Sequence, residues 1–144
     1  MKFLISHRGN IAGPNLEREN DPDYILEAIN AGYDVEIDVW YVDNNFFLGH
    51  DEPQHLIDES FLKNKNLWCH AKNVDALNEM LRCDIHCFWH EKDTVTLTSK
   101  GYIWAYPGMQ PIKNSIAVMP ELNDDDISEC TGICSDRIEA WGRR

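Results

Sequence analysis

Residues 34–40 read Asp34-Val35-Glu36-Ile37-Asp38-Val39-Trp40. Apolar β-branched residues alternate strictly with acids, the period-two pattern of a strand. Successive side chains in a strand point to opposite faces, so Val35, Ile37 and Val39 share one face and Glu36 and Asp38 the other. Taken alone, this reads either as an amphipathic strand with its acids in water or as a ligand pair. A parallel sheet usually has both faces covered. Two carboxylates on an inward face repel each other unless a cation lies between them. Paired hard oxygens suit Mg²⁺ or Ca²⁺.

Further short apolar runs occur at 3–6, 46–48, 67–70, 85–89, 102–105, 115–119 and 132–135, each suited to a strand. Helical patterns sit between some of them. Asp21-Pro22-Asp23 opens one, Tyr24, Ile25, Ala28 and Ile29 form its apolar stripe, and Gly32 ends it. Asn73 caps a second, with Val74, Leu77 and Leu81 as the stripe. Asp124-Asp125-Asp126 reads as a solvated helix start, and 94–101 as a short helix or loop. Strands alternating with helices predict an α/β domain with a largely parallel sheet. The length of 144 residues is short of the ~250 typical of an eight-stranded α/β barrel. The expectation is one domain over 1–144, a contracted TIM-like parallel β/α barrel with shortened or missing helices. Such a barrel leaves strand faces bearing Trp40, Trp68 or Trp89 uncovered, and a homo-oligomer would cover them.

Composition narrows the function. Thirteen Lys and Arg against 25 Asp and Glu give a net charge of −12, which disfavours nucleic acid and anionic membrane as partners. An apolar fraction of 43% supports a folded core. No apolar run approaches the roughly 20 residues of a membrane span. The opening Met1–Ser6 is too short for a signal peptide. Five cysteines, an odd number, fit a reducing compartment, so a cytoplasmic location is expected. Cys83/Cys87 and Cys130/Cys134 are spaced four apart, but Cys87 and Cys134 fall inside strand-like runs, which favours buried thiols over zinc.

Two histidine turns bear on the acid pair. His7-Arg8-Gly9 follows the first strand, and Gly49-His50-Asp51 follows the run 46–48. In α/β barrels the working residues sit at the C-terminal ends of strands. Two histidines, an arginine and an acid pair, all at strand ends within 51 residues, form a constellation suited to acid–base chemistry on an anionic substrate.

Taken in order, His7-Arg8-Gly9, Glu19-Asn20, Glu36-Ile37-Asp38-Val39 and His50-Asp51 resemble the glycerophosphodiester phosphodiesterases, relatives of the phosphatidylinositol-specific phospholipase C type of barrel. Gly132-Ile133-Cys134-Ser135-Asp136 is similar to that family's last strand. The resemblance covers residues 1–51 clearly and is thin afterwards. It implies a metal-dependent phosphodiester hydrolase with a small phosphodiester substrate. His7 and His50 would be the acid and base, and Arg8 would grip a phosphate oxygen. Glu36 and Asp38 would bind Mg²⁺ or Ca²⁺, Asn20 would shape the site, and Lys72 would meet the substrate.

The chain departs from that pattern at Cys69-His70-Ala71-Lys72, where the resemblance implies a metal-binding Glu two residues before the Lys. His70 and Lys72 share a strand face, so His70 is the candidate replacement ligand. Glu91 after His90 is another. The family it resembles commonly carries an insertion after its His-Asp turn; here only Glu52 to Asn66 intervenes before the next strand, so the resemblance implies a shallower, more open pocket. Trp104, with Tyr106 and Pro107, is a candidate lining for that pocket, with core packing as the alternative. A barrel that binds a phosphorylated ligand or protein partner without turnover is the competing expectation.

Overall fold

The computed structural model describes residues 1–142. Its organising strand is β2 (Asp34–Val42), preceded by β1 (Phe3–His7) and α1 (Pro22–Asn30). After it come the hairpin strands β3 (Asn45–Leu48) and β4 (His55–Ile57), and the four-residue α2 (Glu59–Leu62). Then follow β5 (Leu67–Ala71), α3 (Val74–Arg82), β6 (Cys87–Trp89) and β7 (Val95–Leu97). The chain ends with β8 (Ile103–Ala105), β9 (Ser115–Val118) and β10 (Gly132–Ser135), with 3-10 turns at Pro120–Leu122 and Ile138–Trp141.

α1 and α3 begin where the sequence predicts, whereas α2 was not anticipated. Asp21 accepts a hydrogen bond from the Asp23 amide ahead of Pro22, and Asn73 accepts from the Ala76 amide. α1 buries Ile25 and Ala28 of the predicted stripe. On α3 the buried residues are Ala76 and Met80, whereas Val74 and Leu81 are exposed. The expected stripe is therefore rotated: the helix turns its small and flexible side chains to the sheet.

All strands join one ten-stranded sheet in the order β4-β3-β2-β1-β10-β9-β8-β7, with β5 pairing β2 and β6. The neighbours β6-β5-β2-β1-β10-β9-β8 run parallel. β3, β4 and β7 pair antiparallel. The fold is thus a mixed sheet with three short helices, not the TIM-like parallel barrel expected from the sequence. The reason lies in the crossovers. A (β/α) barrel returns through a helix after each strand, and here only α1 and α3, nine residues each, do so at any length. After β2 the chain reverses at Asp43-Asn44, both at positive φ (51° and 64°), into a hairpin. After β6, residues 95–97, predicted as helix or loop, form a strand turned back on β8. The triple aspartate at 124–126 starts no helix; it lies just past the Pro120–Leu122 turn, where Asp125 accepts from the Gly108 amide.

Both faces of β2 are buried. Val35, Ile37 and Val39 pack with Ile25, Ala28, Ala76 and Met80 under the helices. Burial of each such aliphatic side chain stabilises by about 1.5–3 kcal/mol. Across the sheet, Ile5, Trp68, Phe88, Trp104, Ile116 and Cys134 fill an inner cluster. Trp68, expected on an uncovered outer face, is in that cluster and 2% exposed, with its indole N–H donating to Asp34. Trp40 instead donates to the Gly49 carbonyl. No described helix is long and apolar enough to cross a membrane.

Candidate metal and phosphate site

Register brings the acids and imidazoles together. His7 of β1 lies beside Glu36 of β2, and Asp38 lies beside His70 of β5. Because alternate side chains share a face, Glu36, Asp38 and His70 converge on the inner side. One ligand atom from each lies within 4.8 Å of the others, and all three residues are buried. His70 Nδ1 stands 3.3 Å from Asp38 Oδ1 and 3.9 Å from Glu36 Oε2. His70 Nε2 lies 3.1 Å from the His90 carbonyl, which can only accept. Nε2 therefore carries a proton, and Nδ1 faces the two carboxylates. An imidazole that donates one N–H to a carbonyl while offering the other nitrogen inward is the usual posture of a metal-ligating histidine.

The carboxylates have unmet demand. Glu36 Oε1 and Asp38 Oδ1 are buried without a hydrogen-bond partner among the described residues. Burial, followed by the charge of Asp38, pushes the Glu36 carboxyl above its ordinary range. Burial opposes ionisation of Asp38 too, but the facing His70 imidazole, the Arg8 charge and the Asn20 hydrogen bond outweigh it and hold Asp38 well below the usual carboxylate range. One acid held ionised beside a second that resists ionisation, with two orphaned oxygens, fits a divalent cation.

Asn20 fixes Asp38. It sits at φ 65°, buried, and its amide Nδ2 donates to Asp38 Oδ2 at 2.9 Å while its Oδ1 accepts from the Asp38 amide at 2.9 Å. Arg8 Nε is 3.0 Å from Asp38 Oδ2, and Arg8 Nη1 donates to Glu19 Oε1 at 3.2 Å. The guanidinium predicted to grip phosphate is thus held by two carboxylates while still lining the cavity.

His7 Nδ1 donates to Asp136 Oδ1 at 2.7 Å, and its Nε2 lies 3.7 Å from Glu36 Oε1. Burial lowers the His7 pKa, but the Asp136 hydrogen bond and the Glu36 charge prevail and raise it above 6.5. Asp136 moves down in turn: its burial is outweighed by His7.

His50 does not follow a parallel strand, as the sequence suggested. It follows β3, which runs antiparallel to β2 with Leu48 beside Val39. The hairpin still returns it to the site, because the Gly49 amide donates to the Asp38 carbonyl at 3.2 Å. A side chain at Gly49 would meet the Glu52 carbonyl at 2.0 Å, so only glycine fits this turn. His50 Nδ1 donates to Asp51 Oδ1 at 2.8 Å, with the ring 45% exposed at the mouth.

These groups border one cavity of about 410 Å³, in the range of small-ligand sites. His7, Arg8, Glu36, His50, His70 and Lys72 line it. So do Trp104, which sequence reasoning offered as pocket lining, and Glu91, which is exposed. Asp38 lies beneath, reached through His70 and Arg8. Asn20 lies behind Asp38 and does not border the cavity. The sequence reading gave no role to Asp136, although it was quoted as the end of a strand; an acid directly after the apolar run 132–135 was the available signal.

No protein-family model, curated protein or solved structure matches the chain.

Proposed function

We propose that the protein is a divalent-metal-dependent phosphodiester hydrolase acting on a small substrate of the glycerophosphodiester kind. The observation that carries the reading is the convergence of two Asp-supported histidines and the Glu36/Asp38/His70 group on one cavity. Of the residues quoted for the family resemblance, His7, Arg8, Glu36 and His50 line that cavity, and Asp38 and Asn20 lie behind it.

Phosphodiesters resist attack because their charged oxygens repel nucleophiles. Glu36, Asp38 and His70 would hold Mg²⁺ or Ca²⁺, whose contribution is to offset that charge. Lys72 lines the cavity, is in no ion pair among the described residues, and meets a phosphate oxygen. Arg8 adds positive charge from a fixed position, since Glu19 and Asp38 anchor it. His7 and His50 divide the proton work. Each has Nδ1–H committed to an aspartate, which leaves Nε2 to take a proton from the attacking hydroxyl or give one to the departing oxygen. A protein that only binds phosphate has no need of two oriented proton carriers.

Five thiols without a disulfide support the cytoplasmic reading.

The test is hydrolysis of bis(p-nitrophenyl) phosphate and of a glycerophosphodiester by the full chain with added Mg²⁺ or Ca²⁺. Metal-dependent turnover that falls roughly 10²–10⁴-fold in His7→Ala and in His50→Ala supports the reading. Turnover unchanged by both substitutions, or absent with every metal, sinks it.

A further inference from the structure

The sheet has a second recess, at the end where its parallel strands begin. Phe3 and Asp34 open β1 and β2, and Lys65, His86 and Tyr102 stand just before β5, β6 and β8. With Trp68 and Lys100 they line a cavity of about 110 Å³. His7 and Asp136 stand at the other strand ends, and the two cavities share no lining residue. Pockets for larger organic ligands start at ~300 Å³, so this one suits a compact ion.

In a chain of net charge −12, this end gathers cations. Lys65 and Lys100 are exposed, and neither is in an ion pair among the described residues. Lys2 Nζ adds a third charge, 5.2 Å from the centre of the Phe3 ring. A turn presents Lys100: the Thr98 amide donates to the Tyr102 carbonyl at 2.8 Å, and the amide of Gly101, at φ 89°, donates to the Thr98 carbonyl at 2.9 Å. Asp34 is the acid among the lining residues. Its Oδ1 accepts from Asn66 Nδ2 at 2.8 Å and its Oδ2 from the Trp68 indole at 3.0 Å, so it is engaged within the wall and not with either lysine.

His86 supplies a donor. It is 8% exposed, its ring lies 4.4 Å from the Trp68 ring, and Nε2 is 2.8 Å from Thr98 Oγ1. Thr98 is buried, and its Oγ1 already accepts from the Tyr102 amide at 3.2 Å. Among the described residues the Thr98 hydroxyl proton has one acceptor, His86 Nε2, so the imidazole carries its own proton on Nδ1. Nδ1 has no partner among the described residues, and neither has the Tyr102 hydroxyl. Burial, then the charge of Lys100, lowers the His86 pKa to about 4, so the ring is neutral near pH 7 and offers a single N–H.

We propose that this recess is a second anion site, taking a compact tetrahedral oxyanion of the phosphate class. A phosphate has acceptors enough for two ammonium groups, the His86 N–H and the Tyr102 hydroxyl at once. The lysines reject cations, and the small volume rejects long organic anions. The site stands independently of the phosphodiesterase reading, since it uses none of the same residues.

The experiment follows histidine ¹H–¹⁵N spectra of the full chain in chelator, at constant ionic strength, as inorganic phosphate is added. His86 should show the Nδ1–H tautomer and a saturable shift. Lys65→Gln and Lys100→Gln should each weaken binding roughly 2–5-fold, and together roughly tenfold. Both positions are exposed, so the variants fold. Lys72→Gln, in the main cavity, should leave the His86 response in place. A response to methyl phosphate as well assigns the site to phosphomonoesters, and a response to inorganic phosphate alone assigns it to the free ion. An Nε2–H tautomer, a shift reproduced by chloride, or a shift unchanged in the double lysine variant overturns the proposal. A response abolished by Lys72→Gln, or none at tens of millimolar phosphate, overturns it as well.

Discussion

His7 and Asp136 are 129 residues apart in the chain, yet their side chains meet at 2.7 Å. The contact exists because β1 and β10 are parallel neighbours, with Ser6 paired to Ser135, so both strands deliver their next residue to the same end of the sheet. A carboxylate only accepts, which fixes the His7 proton on Nδ1 and leaves Nε2 on the Glu36 side. The pair therefore sets both the tautomer of His7 and its readiness to hold a second proton.

Asp136→Asn tests this. Burial already disfavours the imidazolium, and the Asp136 hydrogen bond heads the forces that hold the His7 pKa above 6.5. Without that charge the pKa of His7 falls. The limb of the pH–rate profile governed by His7 should move to lower pH, with turnover reduced at least tenfold, on the order of the gain from one oriented acid or base. The limb that moves is the one His7 carries. Two stationary limbs would remove Asp136 from the site.

Asn20 gives a second expectation. It meets Asp38 twice, once at the carboxylate and once at the backbone amide, both at 2.9 Å. Asn20→Ala strands the buried Asp38 amide, at about 1–3 kcal/mol for an orphaned group, and leaves the Asp38 carboxylate with Arg8 alone on Oδ2. Urea unfolding should show a loss of at least 2 kcal/mol or so. Calorimetry should show weaker Mg²⁺ and Ca²⁺ binding, because Asp38 loses the partner that aims it. An unchanged metal affinity would mean that Asn20 only supports the fold.

Much of this site could be read from the chain because it is written in local patterns. Alternation in 34–40 places Glu36 and Asp38 opposite Val35, Ile37 and Val39, and the two helix caps declare themselves at Asp21 and Asn73. The global sheet was less legible. Strand direction depends on what lies between strands, and Asp43-Asn44 reverses the chain by adopting positive φ, which asparagine and aspartate tolerate but do not announce. Residues 95–97 form a strand on β8, and the alternation Thr94-Val95-Thr96-Leu97-Thr98 was a strand signal that the short-helix-or-loop reading passed over. The Asp136 contact is purely tertiary, set by β1 pairing with β10. The α3 stripe was only partly legible: Leu77 packs on the core as expected, but the buried pair is Ala76 and Met80, spaced four apart, while Val74 and Leu81 face outward.

The turn at Gly49 yields a third expectation. A Cβ there overlaps the Glu52 carbonyl, so Gly49→Ala must open the loop that sets His50 over β2. The expected cost is about 1–3 kcal/mol of stability. Because the Glu36, Asp38 and His70 ligands belong to other segments, metal binding should survive while turnover falls toward that of His50→Ala. Retained wild-type turnover in Gly49→Ala would detach His50 from the chemistry.

Glu36 supplies the fourth. Its folded pKa lies above the unfolded value, through burial and then the nearby Asp38 charge. The folded state then holds a proton that the unfolded chain has released, so stability falls as pH rises from the ordinary carboxyl range through the raised folded value. Glu36→Gln removes that penalty, and its amide can donate to the unpartnered Asp38 Oδ1. In chelator at pH 7 the variant should melt a few degrees above the natural chain, and the gap should close near pH 4. Added Mg²⁺ or Ca²⁺ reverses the ranking: the natural chain gains stability by mass action on its metal complex, and the variant, short of one ligand, gains little. Thermal melts over pH 4–8, with chelator and with millimolar metal, read both effects at once. A Glu36→Gln chain less stable than the natural one at pH 7 in chelator would show that Glu36 is already satisfied inside the fold, and the electrostatic case for a cation between it and Asp38 would fail.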